Sequence, residues 1–469
     1  MTTKSAAELA AEPTISSNID LLSAWIEAQM AYRNQPGLSV AVVYDQELVW
    51  AAGFGQANVA QQLPATPQTI YRIASITKLF TATAVLQLRD AGKLQLDDPV
   101  GKHLPWFNIQ NPFADAPPIT LRHLLTHTAG LPRESAFPYW NDSNFPSRDE
   151  IQTKLPEQTT VLPPEKRWKY SNLGLSLAGE VVTAVSGQPY AEYVAAHILK
   201  PLGMADTFVA TIDPEHPQFA VGYGRRMPDK SRALSPFTDT QGLTPAANIA
   251  TTVLDLAKFA MLQFRDNPAG GAQILRGSTL REMQRIHWLE PNWQAGWGLG
   301  FRIQRIKGKT YIGHGGSVLG FRTQLRMCVE DKTAVIVFTN SDDGDPLMYV
   351  ERAYDWVIPA LVKAAKPEGE TAVPDPAWQS YVGRYRDRWG DEQVLIHDGH
   401  LMIIDPTLPD PLEGAAKLVP LPDQPHTFRM ESDNGFASAE ELAVFELDDS
   451  GTVIRLKTGE NYVERVEQW

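Results

Sequence analysis

The chain has 469 residues, 43% of them hydrophobic and 21% charged, and a net charge of −13. Its length exceeds one ordinary domain, and its composition is that of a globular protein. The acidic balance excludes the basic footprint that nucleic acid or an anionic membrane surface requires. One cysteine, Cys328, excludes an intramolecular disulfide and reads as a small core residue in an apolar run. The ten histidines form no ligand cluster at metal spacing, so neither a metal nor another cofactor is expected.

Residues 1–17 read as an N-terminal extension. Met1 to Pro13 is polar and alanine-rich, with no basic segment leading into an apolar one, and no apolar run in the chain is long enough to span a bilayer. A cytoplasmic protein is expected; a processed N-terminus would leave the periplasm or secretion open. Leu22, Trp25, Ile26 and Met30 have helical spacing over Ile19–Tyr32, which Pro36-Gly37 ends. Leu38–Tyr44 and Leu48–Phe54 read as strands of an antiparallel hairpin, the first buried throughout.

The stretch Tyr71–Phe80 opens a helix with Ser75 in its first turn. The apolar residues Leu79, Phe80, Val85, Leu86 and Leu88 continue it to Gly92, its expected stop. Lys78 is the only charge between Ser75 and Leu88, and a spacing of three puts both side chains on one face. A lysine there can activate a serine nucleophile, and the helix N-terminus suits a developing oxyanion. The same pair also reads as an N-cap serine and a snorkelling lysine.

Ile119–Pro132 predicts a short helix with Thr120 as N-cap and Gly130 just past its end. His123 and His127, four apart on it, read as structural rather than metal ligands. Ser135–Pro164 has no periodicity and is expected to wall or cover a site. Tyr170-Ser171-Asn172 precedes a helix over Leu173–Val185, with Asn172 available as its N-cap. Helices follow over Ala191–Leu199, Thr252–Phe264 and Ile274–Met283, and residues 206–245 read as loops that shape a pocket. Strands then run over Gly296–Ile306, Thr310–His314, Gly320–Val329 and Thr333–Thr339, and Tyr349–Val362 is a closing helix.

The expected class is α/β of the α+β type. One antiparallel sheet is built from both ends of the domain 18–362, with helices packed around it. Residues 363–376, rich in Ala, Lys, Glu and Pro, read as a linker. In residues 377–469 six short strand-like segments and an Asp398-Gly399 turn predict a small antiparallel barrel or sandwich.

Ser75-Ile76-Thr77-Lys78, Tyr170-Ser171-Asn172 and Gly313-His314-Gly315-Gly316-Ser317 occur in order over one domain, with Pro36–Val43 and Leu124–Pro132 between and before them. Together they resemble the serine β-lactamase and penicillin-recognising family, most closely its class C-like branch of esterases and D-amino-acid peptidases. The resemblance implies a β-lactamase-like fold with an all-helical subdomain. The tail from Trp378 is similar to the lipocalin-like barrel of some members. The family also implies the roles. Ser75 would form an acyl-enzyme, Lys78 would share its proton, and Tyr170 would act as general base and then acid. Asn172 would hold Lys78 and contact substrate. The backbone N–H groups of Ser75 and Ser317 would form the oxyanion hole, on an edge strand where Gly316 leaves room.

The departure is His314-Gly315-Gly316 where β-lactamases of this family carry K-T-G. An imidazole is a weaker, pH-dependent cation, which favours esterase and peptidase members over β-lactam hydrolysis. The nucleophile elbow of an α/β-hydrolase, G-x-S-x-G, is absent from the sequence. The expected activity is therefore a serine hydrolase acting on a small ester or peptide, with a short-chain carboxylesterase foremost. A D-amino-acid peptidase or amidase with weak β-lactamase activity is the first alternative. An acyltransferase or a non-catalytic binding protein on the same fold is the second. A homo-oligomer is left open.

Overall fold

The computed structural model describes residues 5–210, 212–268, 271–365, 375–412, 414–432 and 438–467. The chain divides into two compact units, residues 2–365 and 366–469. Of the stretch read as a linker, residues 366–374 lie outside the described residues, and Lys363–Ala365 continue a helix.

Unit 2–365 is built on one nine-stranded sheet. The strand Gly37–Tyr44 pairs antiparallel with both Glu47–Asn58 and Thr333–Thr339, so the two ends of the unit meet at its centre. Outward from Thr333–Thr339 follow Phe321–Cys328, Lys309–Val318, Arg302–Ile306, Ala295–Trp297 and Trp288–Leu289, all antiparallel. The central strands are buried on both faces, which is why their apolar runs do not alternate with polar residues. Val40, Val42, Val335 and Val337 face the helices Pro13–Arg33 and Pro346–Ala365. Ala41, Val43, Ile336 and Phe338 face the helices of residues 77–283. Each such fully buried Val, Ile or Phe side chain contributes about 1.5–3 kcal/mol relative to exposure.

The extension read over residues 1–17 is largely helical. Ala6–Ala11 is capped by a Ser5–Glu8 box, a second helix starts at Pro13, and Leu9 and Ile15 are buried against the outer face of the sheet. Two caps also differ from the sequence reading. The helix Leu121–Thr126 ends at His127, which takes the left-handed conformation expected of Gly130. The helix Asn172–Ser186 is capped by Ser171, whose hydroxyl accepts from Gly174 N–H at 2.9 Å, and this frees the Asn172 side chain. The region 135–164 carries two short helices, Tyr139–Asp142 and Arg148–Lys154.

The second unit is a closed eight-stranded up-and-down barrel, lipocalin-like in architecture. The Asp398-Gly399 hairpin has positive φ at both residues, as a two-residue type I′ turn requires. Two of its strands, Ala416–Pro420 and Asn461–Val466, have no counterpart among the six segments read from sequence. Tyr385, Phe445, Leu401 and Leu456 are among the side chains that fill its interior.

Candidate active site

The chain reaches Ser75 through an elbow. Tyr71–Arg72 pairs with Ala250–Thr251, and Ile73 N–H donates to Ile249 O at 2.9 Å. Ala74 then turns left-handed at φ 48° and opens a 3-10 turn, Ala74–Ile76, which runs into the helix Thr77–Asp90. A non-glycine residue in that region costs about 1–3 kcal/mol, and dense packing over-determines it; Ala74 is fully buried. Gly92, at φ 72°, follows the end of that helix.

Lys78 is fully buried one turn beyond the serine. Its Nζ lies 3.0 Å from Ser75 Oγ and donates to Asn172 Oδ1 and the Ala246 carbonyl, both at 2.8 Å, so three oxygens surround one nitrogen. Burial pulls its pKa well below the ordinary lysine value; Glu134 opposes that shift and Arg133 adds to it. The Tyr170 hydroxyl donates to Ser75 Oγ at 2.8 Å, and burial raises the phenol's pKa. The His127 ring lies 4.4 Å from the Tyr170 ring, while Lys78 Nζ and the Arg133 guanidinium lie 4.9 and 5.0 Å from the ring centroid.

Asn172 Nδ2 donates to both oxygens of Glu134, at 2.9 and 3.0 Å. Glu134 also accepts from the buried Tyr139 hydroxyl and from Arg133 Nε. Sequence reasoning missed Glu134 and the Ala246 carbonyl. Glu134 lies two residues beyond the Leu124–Pro132 segment, and only the tertiary contact distinguishes it from a surface acid. His123 and His127 each use Nδ1 to accept from a backbone N–H, of Thr120 at 3.2 Å and of Ser171 at 3.1 Å.

The strand Lys309–Val318 supplies the facing wall. It is an inner strand rather than the expected edge, but its neighbour Arg302–Ile306 pairs only with residues 309–313. Residues 314–318 are therefore paired on one side alone, where they run along the Ser75 elbow. A Cβ on Gly316 would sit 2.1 Å from the Ile73 carbonyl oxygen, so glycine is what lets strand and elbow meet. Ser317 is exposed beyond it, and its hydroxyl accepts from Arg322.

His314 differs from the sequence expectation of a cation. It is buried, and desolvation together with the nearby Lys78 lowers its pKa to about 3. Its Nδ1 donates to the Gly315 carbonyl at 2.6 Å, because a carbonyl can only accept. That tautomer leaves Nε2 as a bare, buried acceptor without a hydrogen-bond partner among the described residues.

Ser75, Tyr170, Asn172, His314, Gly316 and Ser317 line one cleft of about 710 Å³, and the fully buried Lys78 touches Ser75 from behind it. Trp168 and Trp297, stacked at 4.8 Å, form an aromatic wall beside Tyr170, with Trp140 on another side. Trp140 comes from the aperiodic region 135–164, whereas no described residue of 206–245 lines the cleft; Ala247, just after it, does. Arg302 and Arg322 line the cleft without a carboxylate partner among the described residues. No cluster of metal-ligating side chains occurs among the described residues, and no helix there is long and apolar enough to cross a membrane.

The sequence matches the Beta-lactamase family over residues 22–358. It is 29% identical over 346 residues to Beta-lactamase-like protein 2 of Dictyostelium discoideum, covering 71% of this chain but only 62% of that relative. It is 29% identical over 308 residues to the putative penicillin-binding protein PbpX of Bacillus subtilis (strain 168), covering 65% of this chain and 71% of that one. Its fold is similar to that of an octameric penicillin-binding protein homologue from Pyrococcus abyssi, with a TM-score of 0.64 and 26% identity, over 95% of this chain and 99% of the other.

Proposed function

This chain belongs to the beta-lactamase family, whose members include serine hydrolases, and we propose that it is a carboxylesterase acting on short-chain esters through an acyl-enzyme on Ser75. The observation that carries this reading is the convergence on one oxygen. Lys78 Nζ and Tyr170 OH lie 3.0 and 2.8 Å from Ser75 Oγ in an open cleft.

The opposite directions of the two pKa shifts favour Lys78 over Tyr170 as the first proton acceptor. Neutral Lys78 takes the Ser75 proton as Oγ adds to the ester carbonyl. The oxyanion is stabilised by the backbone N–H groups of Ser75, in the first turn of its helix, and of Ser317. Collapse breaks the bond to the leaving alkoxide, which takes a proton from Tyr170. The Lys78 ammonium returns a proton to the phenolate. Water then enters, gives its proton along the same route, and releases the carboxylic acid and Ser75.

His314 supports an ester over a β-lactam. A neutral imidazole with a bare Nε2 attracts no substrate carboxylate where the K-T-G lysine would. The free guanidinium of Arg302 supports the second reading, an amidase or peptidase whose substrate carries a carboxylate. The octameric neighbour supports a homo-oligomer, which light scattering on the purified chain tests directly.

The experiment compares p-nitrophenyl butyrate, a D-amino-acid p-nitroanilide and nitrocefin on the protein and on Ser75→Ala. Ester turnover that disappears in Ser75→Ala is expected; undiminished turnover in that variant overturns the mechanism. Faster turnover of the anilide or of nitrocefin moves the substrate reading to the amide or β-lactam class.

A further inference from the structure

The Asn172 amide stands between two groups of opposite character. On one side is Lys78, whose Nζ–H donates to the amide oxygen Oδ1. On the other is Glu134, whose carboxylate can only accept. One orientation of the amide satisfies both, with Oδ1 toward Lys78 and Nδ2 toward Glu134. The reverse orientation would set an NH2 group against the Lys78 N–H and a carbonyl against the carboxylate, inside a buried site where unmatched polar groups are costly.

Glu134 is itself anchored. Tyr139, buried between Trp140 and Phe145, donates its hydroxyl to one carboxylate oxygen. Arg133 Nε donates to the other at 3.1 Å, and Gln158 Nε2 holds the Glu134 backbone carbonyl at 3.0 Å. The Asn172 backbone N–H donates to Arg133 O at 2.7 Å, tying the start of its helix to the same turn. A chain of hydrogen bonds thus runs from Tyr139 through Glu134 and Asn172 to Lys78 and Ser75.

We propose that Glu134 is a positioning residue of the catalytic centre, which locks the Asn172 amide in the one orientation that holds the Lys78 amine on Ser75 and supplies the negative charge that this amine feels. The other ionisable groups facing Lys78 are Arg133, Tyr170, His127 and His314. Both histidines are held neutral by burial, burial keeps Tyr170 protonated, and Arg133 opposes Glu134. Glu134 is therefore the acid that keeps the Lys78 amine basic enough to take the Ser75 proton, and it acts through Asn172 rather than by touching substrate. The inference rests on the Ser75–Lys78 reading above.

The test is the rate of Ser75 labelling by a fluorophosphonate across pH, which needs no knowledge of the substrate. The variants are Glu134→Gln, Glu134→Ala, Asn172→Ala and the double variant Glu134→Ala/Asn172→Ala, each checked by thermal melting. Glu134→Gln keeps the shape and removes the charge. Its labelling is expected to slow about tenfold, with the acid limb about one pH unit lower, since loss of a negative charge makes Lys78 easier to deprotonate. Glu134→Ala is expected to slow labelling about 100-fold in the parent and less than about threefold once Asn172 is alanine, because the two residues act as a unit. Equal costs in both backgrounds, or an unmoved acid limb in Glu134→Gln, overturn the proposal. Labelling that persists in Ser75→Ala would instead overturn the nucleophile assignment and leave the two failures distinguishable.

Discussion

Gly316 and Ile73 are in backbone contact across the active site: a Cβ on Gly316 would meet the Ile73 carbonyl oxygen at 2.1 Å and Thr323 Oγ1 at 2.2 Å. The Thr323 hydroxyl donates to that same carbonyl at 3.1 Å. The strand that carries Ser317 and the elbow that carries Ser75 are held at this spacing by the absence of one methyl group. Gly316→Ala is therefore expected to push the two proposed oxyanion donors apart. It should cut kcat by about 100-fold, as loss of an oxyanion donor does, and lower stability by about 1–3 kcal/mol through overpacking. Steady-state kinetics and urea unfolding measure both.

The buried histidines make stability depend on pH. His314 falls to about 3 in the folded chain from an ordinary 6.5, and His127 also falls well below it, burial being the first cause for each. Below pH 6.5 the unfolded chain therefore binds protons that the folded chain refuses, so stability rises with pH in this window. It is fully present above pH 6.5 and is lost as pH falls toward 3. For His314 the expected loss is about 1.7 kcal/mol between pH 6.5 and pH 5, and His127 adds to it in the same direction. Urea unfolding at the two pH values checks it, and in His314→Gln the pH dependence should be smaller by one histidine's share.

His314 and Arg302 set different terms for a charged substrate. His314→Lys would return a cation to the place held by K-T-G in β-lactamases of this family, at the cost of burying an ammonium near Lys78. The expected result is about a tenfold gain of nitrocefin over p-nitrophenyl butyrate in kcat/KM, with absolute rates lower. Arg302→Ala should weaken KM for an ester whose acyl chain ends in a carboxylate, such as a mono-p-nitrophenyl glutarate, by about tenfold, the worth of about 1.4 kcal/mol. The neutral butyrate should change little.

Ser75, Lys78, Tyr170 and the other candidate site residues all belong to the unit 2–365. A chain truncated after Ala365 is expected to keep fluorophosphonate labelling of Ser75 at a rate within about threefold of the full protein. The same truncation run by light scattering asks whether the barrel carries an assembly contact.

Much of this protein is readable along the chain. Thr120 caps the helix after it, Gly92 and Gly187 follow helix ends, and Asp398-Gly399 turns a hairpin. These features depend on residues within a few positions of each other, where spacing and side-chain type decide the conformation. The separation of Ser75 and Lys78 by one turn is of the same kind, as is the central strand Thr333–Thr339. The barrel strands Ala416–Pro420 and Asn461–Val466 were less legible, since short half-exposed segments carry little pattern.

The tertiary structure decided what those residues meet. Lys78 finds Asn172 94 positions away and the Ala246 carbonyl 168 positions away, and no local pattern encodes either partner. Ser171 and His127 took the cap positions that Asn172 and Gly130 could have filled, and this released Asn172 to bridge Lys78 and Glu134. His314 carries the same side chain whether exposed or buried. Only its enclosure beside Lys78 makes it a neutral acceptor instead of a cation, because the cost of charging a group depends on the medium and charges the fold brings around it.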